Sequence, residues 1–236
     1  MKGIALFAPA LVFTLAAQDL PARLQSAQRL RADEVRGLQA ELAGSGADAA
    51  RKAYFEAYAA YVVVSQFRAK EPATMEALLD RTLKSLESAR DAESLALQGG
   101  CLGLKLGFKP AQGMTLSPLA SMLFGQALAL APGNPRALFF QGLHVLHTPK
   151  FFGGGAAKAL PILEAAAQAA ETEAAPKDAW APSWGKAETR AWLAYAQLEA
   201  GLRPEAKANC DKALALDPDY GFARMVVLPK LQEAAQ

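Results

Sequence analysis

The chain's two histidines, His144 and His147, lie three residues apart. On a helix that spacing brings both imidazoles to one face, where a pair can chelate a metal ion. No Asp, Glu or Cys stands near them to complete a ligand set, so packing on a helix is the preferred reading. With no third histidine, a Ser/His/Asp or Cys/His catalytic set would have to use one of these two. No Gly-x-Ser-x-Gly elbow accompanies them, which leaves a hydrolase built on His147 as the remotest reading. Phe152-Gly153-Gly154-Gly155 precedes a helix and could aim backbone N–H groups at an anion. It lacks the Gly-Lys-Ser/Thr ending of a phosphate loop and reads as a turn insert. Cys101 and Cys210 read as small core residues rather than a disulfide. The carboxylates are scattered among bases, with no isolated pair suited to acid–base work. The expectation is therefore no catalytic residue, no metal and no cofactor.

The elements that position these residues follow from composition. Alanine and leucine fill more than a third of the 236 residues, while valine and isoleucine are scarce. Strands favour β-branched and aromatic side chains, so most β architectures are excluded and an all-α chain is expected. With 25 basic and 23 acidic residues the net charge is +2, which gives no electrostatic footprint for nucleic acid.

Met1 and Lys2 precede an apolar stretch, Ile4 to Leu15, and Thr14-Leu15-Ala16-Ala17 supplies small residues before Gln18. This pattern predicts a signal peptide over residues 1–17 and an exported, periplasmic or secreted protein. No later segment reads as a membrane span. Residues 18–90 form an N-terminal helical region. Leu20, Leu24, Ala27, Leu30, Val35, Leu38 and Leu42 predict one helix to Ala43, and apolar residues ring much of a second from Ala49 to Lys70. Residues 48–70 and 72–89 could form a degenerate repeat unit. Beyond residue 91, helices are expected at 92–106, 117–131, 136–147, 156–170, 187–200 and 204–216, with a capping helix from Tyr220.

The last two of those six helices carry the strongest motif. Residues 187–218 place Leu193-Ala194 in a first helix, Gly201 at the turn, and Ala206, Cys210, Ala213, Leu214, Leu216 and Pro218 along a second. The stretch resembles a tetratricopeptide repeat, with Arg190 and Cys210 as departures from its aromatic positions. The second-helix spacing recurs at Ala120, Phe124, Ala127, Leu128, Leu130 and Pro132, with Gly99 as the partner's small residue. It recurs again at Gly142, Ala159, Leu163 and Ala166. Extra residues at Phe108–Leu116 and Pro149–Gly155 read as turn insertions. Asn134-Pro135-Arg136-Ala137-Leu138, Pro182-Ser183-Trp184-Gly185 and Leu228-Pro229-Lys230-Leu231 make residues 92–231 similar to exported bacterial tetratricopeptide proteins. The resemblance implies antiparallel helix pairs stacked as a short solenoid over residues 91–236, and no assigned reaction.

First helices of stacked repeats line a concave groove. Repeat phase places Arg136, Phe139, Leu143, Leu146 and His147 there in the middle unit, and Glu188, Ala191 and Tyr195 in the last. This set predicts a non-catalytic scaffold of the cell envelope that binds a helical or extended protein segment. A small apolar ligand held in a closed groove is the alternative. A third possibility is that the N-terminal helices themselves occupy the groove.

Overall fold

The computed structural model describes residues 20–67 and 69–233. The predicted signal peptide and its cleavage point lie outside the described residues. Among those described, every regular element is helical. After a helical lead-in at residues 20–25 come α1 (Ala32–Gly44), α2 (Ala49–Phe67), α3 (Pro72–Ser85), α4 (Ala92–Phe108) and α5 (Gly113–Leu130). Then follow α6 (Pro135–His147), α7 (Ala156–Thr172), α8 (Lys186–Glu199) and α9 (Arg203–Leu216). A π-turn at Ala223–Val227 runs into α10 (Leu228–Glu233).

Consecutive helices pack as antiparallel pairs, α4 with α5, α6 with α7 and α8 with α9, and each pair stacks on the next. The close-contact positions explain the alanine content. Ala120, Ala127, Ala159, Ala166, Ala194, Ala206 and Ala213 are all fully buried. Two glycines mark the tightest approaches. A methyl group on Gly99 would stand 2.4 Å from the Phe124 ring, and one on Gly142 would stand 2.6 Å from Leu163. Helix backbones therefore pass closer than any larger residue allows, which fixes each pair's register. The fold is an all-α, solenoid-like stack of helix pairs. Cys101 and Cys210 are buried free thiols on α4 and α9, and burial pushes the Cys101 thiol up to about 12.

Three expectations are corrected. The single helix predicted from Leu20 breaks at Ser26, passes through a 3-10 turn at Ala27–Arg29, and restarts at Ala32. Glu34 makes the restart, its carboxylate accepting the Arg31 N–H at 2.8 Å. The insert at Phe108–Leu116 is largely helical, because α4 runs to Phe108 and α5 begins at Gly113. That lengthening creates an apolar run of 21 residues, Pro110–Leu130, whose most apolar 18 residues have a mean hydropathy of 1.3. By length and composition it could cross a membrane, as no segment beyond the signal was expected to. Its inner stripe, Ala120, Leu123, Phe124 and Ala127, is buried, and the helix packs on α4 in the stack.

Candidate functional site

The helices α6 and α8 carry all eight residues assigned to the groove, and their two ends have different surroundings. Arg136 and Glu188 lie in the first turns of α6 and α8, Phe139 and Ala191 just beyond, and all four are buried. Leu143 and Leu146 are buried as well. These six residues therefore offer no surface to a partner. Tyr54, Tyr58 and Arg29 of the N-terminal helices lie close to Arg136 and Glu188, whereas Ala191 is covered by Ala213, Tyr220 and Ala223.

The covering is aromatic at its centre and ionic at its margin. The Tyr58 ring of α2 stacks on the Trp184 indole at 4.6 Å with the planes 17° apart. Trp184 Nε1 donates to the Tyr54 hydroxyl at 3.0 Å. Tyr61 meets Phe140 edge-on at 5.1 Å, and Phe140 meets Trp184 at 5.7 Å. Beside this cluster Arg136 donates to Glu93 at 2.7 Å, to Glu173 at 3.0 Å and to the Trp184 carbonyl at 3.1 Å. Burial opposes the Arg136 charge, but its hydrogen bonds to Glu173 and Glu93 more than offset this and raise its pKa. Further out, Arg29 pairs with Asp217 at 2.8 Å, Arg51 pairs with Asp178, and Gln25 bridges Ala181 and Ser183.

Two polar groups in this plug are poorly accommodated. Burial pushes the Glu188 carboxyl up to about 7, and Asp217 adds to the shift. The Tyr58 hydroxyl is buried and makes no hydrogen bond. A cavity of about 220 Å³ lies beside them, lined by Gln25, Arg29, Trp184, Glu188 and Asp217. It falls below the roughly 300 Å³ at which small-molecule pockets begin. A larger and more open groove of about 580 Å³ lies between the lead-in and α1, lined by Leu30, Leu38 and the Arg23–Glu41 ion pair.

The other end of the same helices is only partly covered. His147 is exposed, and Tyr195 is half-buried. Between them stands Trp192, which meets His147 edge-on at 5.7 Å and stacks on Phe222 at 4.0 Å, 16° from parallel. Tyr195 closes on Trp192 and Phe222 at 5.7 Å each, and Lys230 Nζ sits 5.6 Å above the Tyr195 ring. The buried Tyr220 adjoins the group, its ring centroid 6.5 Å from that of Phe222. The result is a rigid shelf of rings with a histidine at one margin and a cation at another. Two of the eight predicted residues, His147 and Tyr195, lie on it. Trp192 and Phe222 were not assigned to a site. The signal was present, since Trp192 is one residue from Ala191 and one helical turn from Tyr195.

The histidine pair does not converge. His144 Nε2 lies 2.9 Å from Ser117 Oγ and 3.4 Å from Ser121 Oγ on α5, whereas His147 faces α8. Burial, with His147 nearby, lowers the His144 pKa. Among the described residues no group of three or more His, Cys, Asp or Glu is placed to hold a metal ion.

No protein-family model matches the chain, and no curated protein matches it. Among solved structures it is similar to the HusA haemophore from Porphyromonas gingivalis. The two are 25% identical with a TM-score of 0.60, and the match covers 78% of this chain and 93% of that one.

Proposed function

We propose that this protein is an exported, non-catalytic binding protein, a divergent tetratricopeptide-like stack whose aromatic shelf takes a flat apolar ligand of the haem class. The observation that carries the proposal is the half-buried cluster of Trp192, Phe222 and Tyr195, with the exposed His147 and with Lys230 at its margins. A planar macrocycle gains dispersion and hydrophobic burial on stacked rings. An imidazole at the margin can ligate its iron, and a cation can meet an anionic side group. The likeness to a haemophore supports the ligand class and the exported location.

Haemin titration of the purified chain tests this reading. A shifted Soret band with quenching of Trp192 fluorescence is expected. His147→Ala should alter the band position, and Trp192→Ala should weaken binding about tenfold or more. Unchanged absorbance on mixing, or equal binding by both variants, would count against it.

A second reading keeps a protein or peptide as the partner. It is favoured by α2, which shows that the faces of α6 and Trp184 accept a helix. A partner helix would have to displace α2. Cross-linking in the envelope fraction, with Tyr58→Ala used to loosen the plug, separates the two: only a displacing partner gains from that variant.

A further inference from the structure

We infer that one edge of the solenoid docks on an anionic lipid surface. In a stack of antiparallel pairs, the turns inside each pair share one edge and the links between pairs share the other. Side-chain contacts fix this arrangement. Arg136 at the start of α6 reaches Glu93 at the start of α4 and Glu173 beyond the end of α7, while His144 near the end of α6 reaches Ser117 near the start of α5.

The two edges differ in charge and polarity. The links Leu86–Asp91, Ala131–Asn134, Glu173–Gly185 and Asp217–Asp219 hold six acids against Arg90 and Lys177. The turns Lys109–Gln112, Thr148–Gly155 and Ala200–Leu202 hold two lysines and no acid. Large apolar side chains project at each of these three turns. Met114 is 77% exposed, Phe151 80%, Phe152 59% and Leu202 39%. The α5 face continues this rim with Leu119 and Met122, and no charged residue lies between Lys109 and Arg136.

The phenylalanine pair is held out by a stiff turn. Gly153 and Gly155 take positive φ of 87° and 95°, and the Gly155 N–H is bound to the Val145 carbonyl at 2.9 Å. A methyl group on Gly154 would stand 2.1 Å from the Thr148 carbonyl oxygen, so the turn closes only on glycine. The two ring centroids lie 4.0 Å apart with the planes tilted by 39°, with Lys150 before them and Lys158 on the following helical turn. Neither lysine enters an ion pair among the described residues. Rigid exposed rings beside cations match an interface where apolar side chains enter the acyl boundary and ammonium groups meet lipid phosphates.

Vesicle flotation of the purified full chain tests the inference. Vesicles of equal parts phosphatidylcholine and phosphatidylglycerol are compared with phosphatidylcholine alone. The N-terminal apolar stretch is common to wild type and variants, so the difference between them is the readout. Phe151→Ser with Phe152→Ser should lower partitioning on the anionic vesicles about tenfold or more. Lys150→Glu with Lys158→Glu should abolish the preference for anionic over neutral vesicles. All four side chains are exposed, so unchanged melting curves are expected and would show that the fold is intact. The inference is overturned if the phenylalanine variant floats as wild type does, or if wild type shows no anionic preference. It is equally overturned if this edge is captured by an envelope protein while the chain ignores both vesicles.

Discussion

The first and last turns of α6 and α8 belong to the same two helices and meet opposite fates. At the first turns Arg136, Phe139 and Glu188 are sealed under α2 and the lead-in. At the last turns His147 and Tyr195 face outward around Trp192 and Phe222. Both ends are rich in aromatic rings. What separates them is the burial of their charges: the sealed end surrounds its rings with Arg136, Glu93, Glu173, Arg29 and Asp217, whereas the open end has one exposed pair, Lys230 over the Tyr195 ring and 3.9 Å from Glu199. Aromatic content alone therefore does not distinguish a core from a binding surface. The buried charges that lock a second element over the rings do.

The largest break in this comparison is expected from Arg136→Ala. It leaves Glu93 and Glu173 facing each other without their shared cation, and stability should fall by about 3–5 kcal/mol in urea unfolding. A loss under about 1 kcal/mol would mean that the network does not hold the sealed end. Next comes pH. The Glu188 carboxyl is raised from 4.5 to about 7 in the folded protein. A raised acid contributes stability that is complete below pH 4.5 and is lost as pH climbs through 7. The effect is roughly 3 kcal/mol at most, and Glu188→Gln should flatten that part of the stability profile. A slope unchanged in the variant would assign the titration elsewhere. Tyr58→Phe removes a buried hydroxyl that makes no hydrogen bond and keeps the ring on Trp184. It should stabilise by up to about 1 kcal/mol, visible as a higher Tm. A lower Tm would show that the hydroxyl has a partner. His147→Ala, at the open end, should stay within about 0.5 kcal/mol of wild type while altering ligand binding.

The solenoid was legible because close helix contact demands small residues at fixed spacing. Spacing alone marked Gly99 and Gly142 as the small residues of first helices, and the structure sets them against Phe124 and Leu163 of their partner helices. Helix ends were legible where caps mark them: Asn134 accepts the Ala137 N–H, and Asp91 accepts the Ser94 N–H. The helical insert was missed because Pro118 suggested a helix start, yet it sits inside α5. The eight groove residues were correctly placed on α6 and α8, but their accessibility was not legible. Accessibility depends on α2, whose all-round apolarity set the reading that the N-terminal helices occupy the groove beside that of an open groove without deciding between them. Tyr54 and Trp184 are 130 residues apart in sequence, and no local pattern encodes such a pairing.

That separation has a consequence for how the chain acquires its shape. Each helix pair closes a short loop and can form as soon as it is made. The lead-in cannot, and α2, though packed locally on α1 and α3, is completed only by Phe140 and Trp184. Gln25 waits for Ser183 across 158 positions, and Arg29 for Asp217 across 188. The first segment to emerge is thus the last to find its partners, with a ring-rich helix left unsatisfied in the interval. A chain threaded through a membrane from its N-terminus would hold that helix exposed until α8 and α9 had followed. The docking of α2 is then the clock of maturation, and the shelf beyond it is finished only when Tyr220 and Phe222 arrive.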